Sequence, residues 1–235
     1  MTRLKNDRVG LTKLSDRLTC IAQAIDPVRL LIDVGSDHGF IGSFALENNI
    51  AEKVIATDIH RAPSERTREY FDKMGFSKSA RVFCRDGLHE IEPEGKTAIV
   101  IAGIGGLEIA RIIDEAMSES DLYHDENVVF YLQPQRSEEE LREFLSIHGM
   151  RILSEKICFD RGKHYILIVS QYSGEPYSLN DAEKIIGPII LRDRPLGTDQ
   201  YIEHRLRSIR KQSIGRPELK EVIRVLCQTD DNEGR

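Results

Sequence analysis

The chain has 235 residues, 40% of them hydrophobic and 31% charged, with a formal net charge of −6. That length suits one large α/β domain with a small appendage, and no apolar run reaches the roughly 18 residues of a membrane span. The acidic balance weighs against a surface built mainly for phosphate, and the polar start Met1–Asp7 lacks the apolar core of a signal peptide, so a cytoplasmic location is expected.

Leu11, Leu14, Leu18, Ile21 and Ile25 recur at helical spacing, so the N-terminal segment reads as one amphipathic helix. Strands are predicted at Leu30–Val34, Lys53–Thr57, Arg81–Cys84, Thr97–Ala102 and Asn127–Leu132, joined by connections long enough for the crossover helices of a parallel sheet. The runs Ile99–Gly103 and Val128–Leu132 are almost wholly apolar, as strands covered on both faces must be. Two further strands, Met150–Phe159 and Tyr165–Gln171, are separated only by Asp160–His164, with Arg161-Gly162 as a turn signal. They form a hairpin, so the last strand runs antiparallel to its neighbour. Five parallel strands closed by a hairpin give an α/β fold with a seven-stranded sheet of the Rossmann-like methyltransferase pattern.

After Tyr172 the texture changes. Ser173–Pro176 reads as a linker, Ser178 as the cap of a helix from Leu179, and Gly187-Pro188 as an interruption. A second helix follows Thr198 and a third starts at Pro217, with Asp230–Arg235 as a frayed tail. The division is therefore a domain over residues 1–172 and a helical C-terminal extension over 173–235. Between Arg192 and Arg224 nine basic residues outnumber five acidic ones, which suits either an ordinary solvated surface or a polyanion. Cys20, Cys84, Cys158 and Cys227 lie far apart without a C-x-x-C pair, so buried free thiols are expected, and no metal.

Four segments carry chemistry. In Leu30–Gly42 an apolar strand ends at Asp33 and a turn on Gly35 and Gly39 opens a helix. The pyrophosphate fingerprint is not met, because Asp37 stands where a second glycine belongs and its carboxylate would repel phosphate. S-adenosyl-L-methionine has no phosphate, and its ammonium and sulfonium charges complement Asp33 and Asp37. A structural turn with a capping aspartate is the alternative. Asp58 ends the second strand where an acid accepts from both ribose hydroxyls. Asp86 and Gly87 follow the third, suited either to an adenine amino group and ring or to a plain turn. Ile101–Gly106 ends the fourth with glycines at 103, 105 and 106, and Gln133 ends the fifth with a donor and an acceptor for a base edge.

In chain order DVGSDHGFIG, ATDI, RDGL, IAGIGG, LQPQ and RGKHY resemble the bacterial tRNA (adenine-N1)-methyltransferase family that modifies adenosine 22. The resemblance runs over about Leu14–Gln171 and weakly on through Gly187-Pro188. The family pattern reads DIGSDHAYLP, AGMGG, QPN and GKCYE; this chain has Gly39, Gly42, Ile104, Gln135 and His164 at its departures. The resemblance implies a class I, S-adenosylmethionine-dependent enzyme. Asp33, Gly35, Ser36, Asp37 and His38 would hold the methionine moiety, Asp58 the ribose, Asp86 and Gly87 the adenine. Gly103, Gly105 and Gln133 would border the target base, while Lys163 and Tyr165 face substrate or merely end the sheet.

Adenine N1 attacks through an in-plane lone pair and needs no prior deprotonation. The catalytic candidates are accordingly Asp37 for the developing positive charge, His38 for orientation, and Gln133 for the base edge. Extruding the base costs a few kcal/mol, so tRNA contacts elsewhere are expected from the basic C-terminal helices, Arg205 and Arg210 among them, and from basic residues between Arg3 and Arg17. The expected partner is tRNA, with no membrane and no metal, and the expected state a monomer. Competing accounts are a methyltransferase for a small molecule or another RNA, a nicotinamide oxidoreductase, and a non-catalytic S-adenosylmethionine-binding module.

Overall fold

Apolar strand-like runs and amphipathic segments alternate from residue 28 onward. The computed structural model, which describes residues 11–215 and 219–231, folds that alternation into one seven-stranded sheet. The strands are β1 (Val28–Val34), β2 (Ala51–Asp58), β3 (Ala80–Cys84), β4 (Thr97–Ala102), β5 (Val128–Gln133), β6 (Met150–Asp160) and β7 (Lys163–Tyr172). Their order is β3-β2-β1-β4-β5-β7-β6. The first five are parallel, and β7 slots antiparallel between β5 and β6. The chain winds outward from β1 to β3, then returns to β4 on the other side of β1. The carboxyl ends of β1 and β4 therefore part, and that is where open α/β sheets bind ligands.

Helices α1 (Asp16–Ala22), α2 (Phe40–Glu47) and α3 (Arg61–Lys73) lie on one face. There Ile21, Ile41 and Phe71 pack on Leu31, Val54, Val100 and Leu167. Helices α4 (Gly106–Glu119) and α5 (Glu138–Ile147) cover the other, with Ile109, Ile113, Leu141 and Leu145 on Ile32, Ile99, Ile101 and Leu132. Successive strand residues serve opposite layers, and each fully buried Leu or Ile contributes about 1.5–3 kcal/mol.

Several elements differ from expectation. The N-terminal helix is only α1: Ser15 caps it by accepting from Leu18 N, Leu11 is exposed, and Thr12 instead bonds the Glu47 carboxylate on α2. The β3–β4 connection, Arg85–Lys96, holds no α-helix, because Pro93 and Gly95 punctuate it; buried Leu88 and Ile91 fill the place of a helix face. The helix expected from Leu179 starts later, as α6 (Asp181–Ile186), because Asn180 and Glu183 form the capping box. Cys20 on α1 and Cys158 on β6 form a disulfide rather than two free thiols. They are separated by 138 residues and meet only because α1 packs on the β6–β7 hairpin, which the spacing in the chain does not reveal.

The C-terminal helices are α6, α7 (Pro188–Asp193), α8 (Thr198–Gln212) and α9 (Leu219–Asp231). The predicted start at Pro217 and the tail beyond Asp231 lie outside the described residues. Ile185, Ile190, Ile202, Leu206, Val222 and Leu226 join the same apolar layer as α4 and α5. A buried ion pair stitches this junction. Arg142 on α5 donates to Glu155 on β6 at 2.8 Å, and also to the carbonyls of Lys184, Ile185 and Ile186 that end α6. Glu155 accepts from Ile189 N and Ile190 N, which open α7. Gly187 between them has no room for a Cβ, which would lie 2.5 Å from Glu155 Oε2.

Candidate active site

The cleft at the switch point is built by five strand ends. It holds a cavity of about 240 Å³ lined by Arg17, Asp33, Gly35–Ile41 and Ala102, among others. The β1–α2 turn is fixed from below: Gly35 N and Ser36 N donate to Thr57 O of β2, and Thr67 of α3 donates to Ser36 O. Gly35 takes φ +73°, and a Cβ there would meet nothing within 4 Å, so the space beside it is open to a ligand.

Asp33 is 6% exposed; among the described residues it forms no ion pair, and the nearest cation in the cavity lining is Arg17. Burial pushes its carboxyl up to about 6, offset in part by a hydrogen bond from Ser36. A buried carboxylate without a counter-ion repels a pyrophosphate and welcomes a cation. Asp37 and His38 stand at the mouth, both exposed. Arg66 of α3 donates to Asp37, His38 Nε2 lies 3.2 Å from the same carboxylate, and the His38 ring stacks on Phe40.

Asp58 ends β2 with Oδ1 accepting from His60 N at 2.8 Å. Asp86 accepts from Arg111 of α4 at 2.8 Å, and the Gly87 carbonyl accepts from Thr57 at 2.8 Å. The sequence reading passed over Ile59, an exposed isoleucine directly after Asp58 whose carbonyl is approached by the Cys84 thiol at 3.6 Å. A large apolar side chain left exposed directly after a strand-end acid suits a flat ring. Its signal was already in the sequence, as the apolar neighbour of a strand-end acid.

The glycines after β4 have separate reasons. Gly103 takes φ +84°, whereas Gly106 lets α4 start against the β5–α5 loop: it donates to Arg136 O, and a Cβ would lie 2.1 Å from Ser137 O. Gly105 caps α4 beside the Arg136 side chain. Gln133, expected at a base edge, has both ends of its amide engaged in the chain itself. It is fully buried, Arg17 donates to its Oε1 at 2.6 Å, and its own amide donates to Pro134 O at 2.7 Å. Arg17 also lies over the Tyr165 ring, 5.7 Å from its centroid. The group facing the crevice there is therefore a guanidinium from α1, a site residue that the sequence reading treated only as part of a basic segment.

Lys163 and Tyr165 open β7, which overhangs this edge. Arg205 donates to Ile185 O and lies 3.9 Å from Glu138; Arg210 is exposed and approaches the Cys227 sulfur at 3.9 Å. Among the described residues no helix is long and apolar enough to cross a membrane, and no three metal-ligating side chains cluster.

A family model described as a methyltransferase domain matches residues 14–168. The tRNA (adenine(22)-N(1))-methyltransferase of Bacillus subtilis (strain 168) is 30% identical over 77% of this chain and 76% of its own length. The chain belongs to the tRNA (adenine(22)-N(1))-methyltransferase family. Two solved structures agree in fold and extent. Streptococcus pneumoniae Sp1610, in complex with S-adenosyl-L-methionine, is 26% identical with a TM-score of 0.79, covering 92% of this chain and 99% of that one. The B. subtilis M1A22 tRNA methyltransferase TrmK is 25% identical with a TM-score of 0.76, covering 93% and 96%. In this family member the switch-point cleft and its uncompensated Asp33 occupy the matched segment.

Proposed function

We infer that the protein transfers a methyl group from S-adenosyl-L-methionine to N1 of an adenosine in tRNA, with adenosine 22 as the acceptor. The observation that carries the reading is Asp33: a buried carboxylate without a counter-ion, at the switch point of a chain in this family. The site fits the cofactor on its own chemistry, since the open space at Gly35 admits an amino-acid moiety, Asp33 and Asp37 suit its cationic groups, and Arg17 suits its carboxylate. When bound, the cofactor supplies an electrophilic methyl on a sulfonium.

The roles then divide along the cleft. Asp33, Gly35, Ser36, Asp37 and His38 hold the methionine moiety, Asp58 the ribose, and Asp86, Gly87 and Ile59 the adenine, with Gly103 admitting the backbone close to the reacting centre. Asp37, tethered by Arg66 and His38, offers negative charge where the base becomes cationic. His38, stacked on Phe40, orients the base. Gly105 and Tyr165 border the base; Gln133 reads it only after Arg17 moves off its carbonyl. Orientation, rather than proton transfer, is the main work of these residues.

Residues 1–172 serve as the methyltransferase domain and 173–235 as its C-terminal extension, and the protein acts as a monomer. A tRNA acceptor supports a cytoplasmic location, where thiols are kept reduced, so the Cys20–Cys158 bond is one the cell would open. The direct test is methyl transfer from labelled S-adenosyl-L-methionine to unmodified tRNA, followed by nucleoside analysis. Appearance of 1-methyladenosine is expected. Cofactor binding without transfer to any tRNA would move the acceptor to another molecule.

A further inference from the structure

On a chain of net charge −6, a polyanion gains most where cations stand apart from the protein's own carboxylates. Five of the nine cations in the basic C-terminal stretch stand beside a carboxylate. Arg192 pairs with Asp193, Arg194 with Asp199, Arg207 with Glu203 and Arg224 with Glu221, while Arg205 lies by Glu138. Three cations at the rim of the crevice differ. Arg136, Arg161 and Lys163 are exposed, and among the described residues none of them forms an ion pair.

Their placement follows from strand register. Leu132 of β5 faces Ile168 of β7, so Gln133, the end of β5, is level with Leu167. Lys163 starts β7 four residues farther out, about 14 Å beyond the sheet edge at 3.4 Å per residue. The hairpin tip thus overhangs the target-base rim on one side of Gln133. Arg136, against Gly105 at the start of α4, borders it on the other.

The tip residue carries a second signal. Arg161 and Gly162 form the two-residue turn between Asp160 and Lys163, with φ of +49° and +78°. A turn with positive φ at both positions favours asparagine, aspartate or glycine at the first. An arginine there is held in a conformation that a long side chain disfavours, so folding alone does not explain its presence.

We propose that Arg161 and Lys163 on the hairpin tip, with Arg136 across the crevice, grip the sugar–phosphate backbone of tRNA on both sides of the extruded base. The inference rests on tRNA being the acceptor. Base extrusion must be offset by contacts away from the base, and cations flanking the crevice provide them where the base leaves its stack.

The test is equilibrium binding of unmodified tRNA over a range of salt concentrations, with S-adenosylhomocysteine binding and thermal stability measured on the same variants. Arg161→Asn relieves the turn while removing the charge. Its tRNA affinity is expected to fall about eightfold at 0.1 M salt, with a log–log salt slope shallower by about 0.9. Its Tm is expected to hold or rise, and its S-adenosylhomocysteine affinity to stay as in the wild type. Adding Arg136→Gln and Lys163→Gln should flatten the slope by roughly 2–3 in all. Unchanged tRNA affinity and slope in that triple variant would overturn the proposal. So would an equal loss produced instead by Arg210→Gln with Lys211→Gln, which relocates docking to α8. If the wild type itself neither binds nor methylates tRNA, the acceptor assignment has failed, and the surface with it.

Discussion

Replacing Asp33 by asparagine is expected to stabilise the protein at neutral pH while weakening its hold on S-adenosyl-L-methionine. The carboxyl titrates at about 6 in the folded chain, raised from 3.8 by burial. Between those two values the folded state binds more protons than the unfolded one, so stability falls as pH rises through the window and the loss is complete above it. Two pH units at 1.36 kcal/mol each put the cost of ionised Asp33 at about 3 kcal/mol. Asparagine keeps the shape and the bond to Ser36 without that cost. For a chain of this size the gain in Tm is roughly 6–12 °C at pH 8, about half that at pH 5, and little at pH 4. Thermal unfolding of both proteins at the three pH values measures it, with titration of S-adenosylhomocysteine alongside. The bound ammonium of S-adenosylhomocysteine returns Asp33 to its charged form, so wild-type affinity should climb with pH through about 6 and the variant's should stay low and flat. An Asp33→Asn Tm at or below wild type at pH 8, or a difference that ignores pH, would refute the burial argument.

Other outcomes follow from the same geometry. Asp37→Ala should lower turnover roughly 10²-fold with little change in Tm, since the side chain and its ion pairs are exposed; normal turnover in a folded variant removes the charge-stabilising role. Glu155→Gln leaves the fully buried Arg142 uncompensated and should cost about 3–5 kcal/mol in urea unfolding. A loss below about 1 kcal/mol would mean the pair does not bind the C-terminal helices to the sheet. Air-oxidised protein should present two titratable thiols, Cys84 and Cys227. Reduction or Cys20→Ser should then destabilise it by about 2–4 kcal/mol and loosen α1, which carries Arg17; four thiols in the oxidised sample would exclude the Cys20–Cys158 bond.

What the sequence alone determined is what local pattern encodes. The central strands β1, β4 and β5 were visible because burial on both faces leaves a continuous apolar run, and the hairpin because Arg161-Gly162 separates two strand-like runs so briefly. The acids at 33, 58 and 86 were legible as polar residues at or just beyond the ends of apolar runs, where an open α/β sheet has its crevice. The order of the strands, with β7 inserted between β5 and β6, is a long-range pairing, and so is the contact of α1 with the hairpin that joins Cys20 to Cys158. Gln133 looked free to read a base because its covering residue, Arg17, lies 116 positions away. The basic C-terminal segment looked available for RNA because composition counts charges without their partners; folding pairs most of its arginines and tucks Arg205 against α5 and α6. Propensity and periodicity are properties of neighbours in the chain. Which charges are neutralised, which carboxylate is stranded in the core and which cations are left at the rim are properties of neighbours in space, and only the tertiary structure decided them.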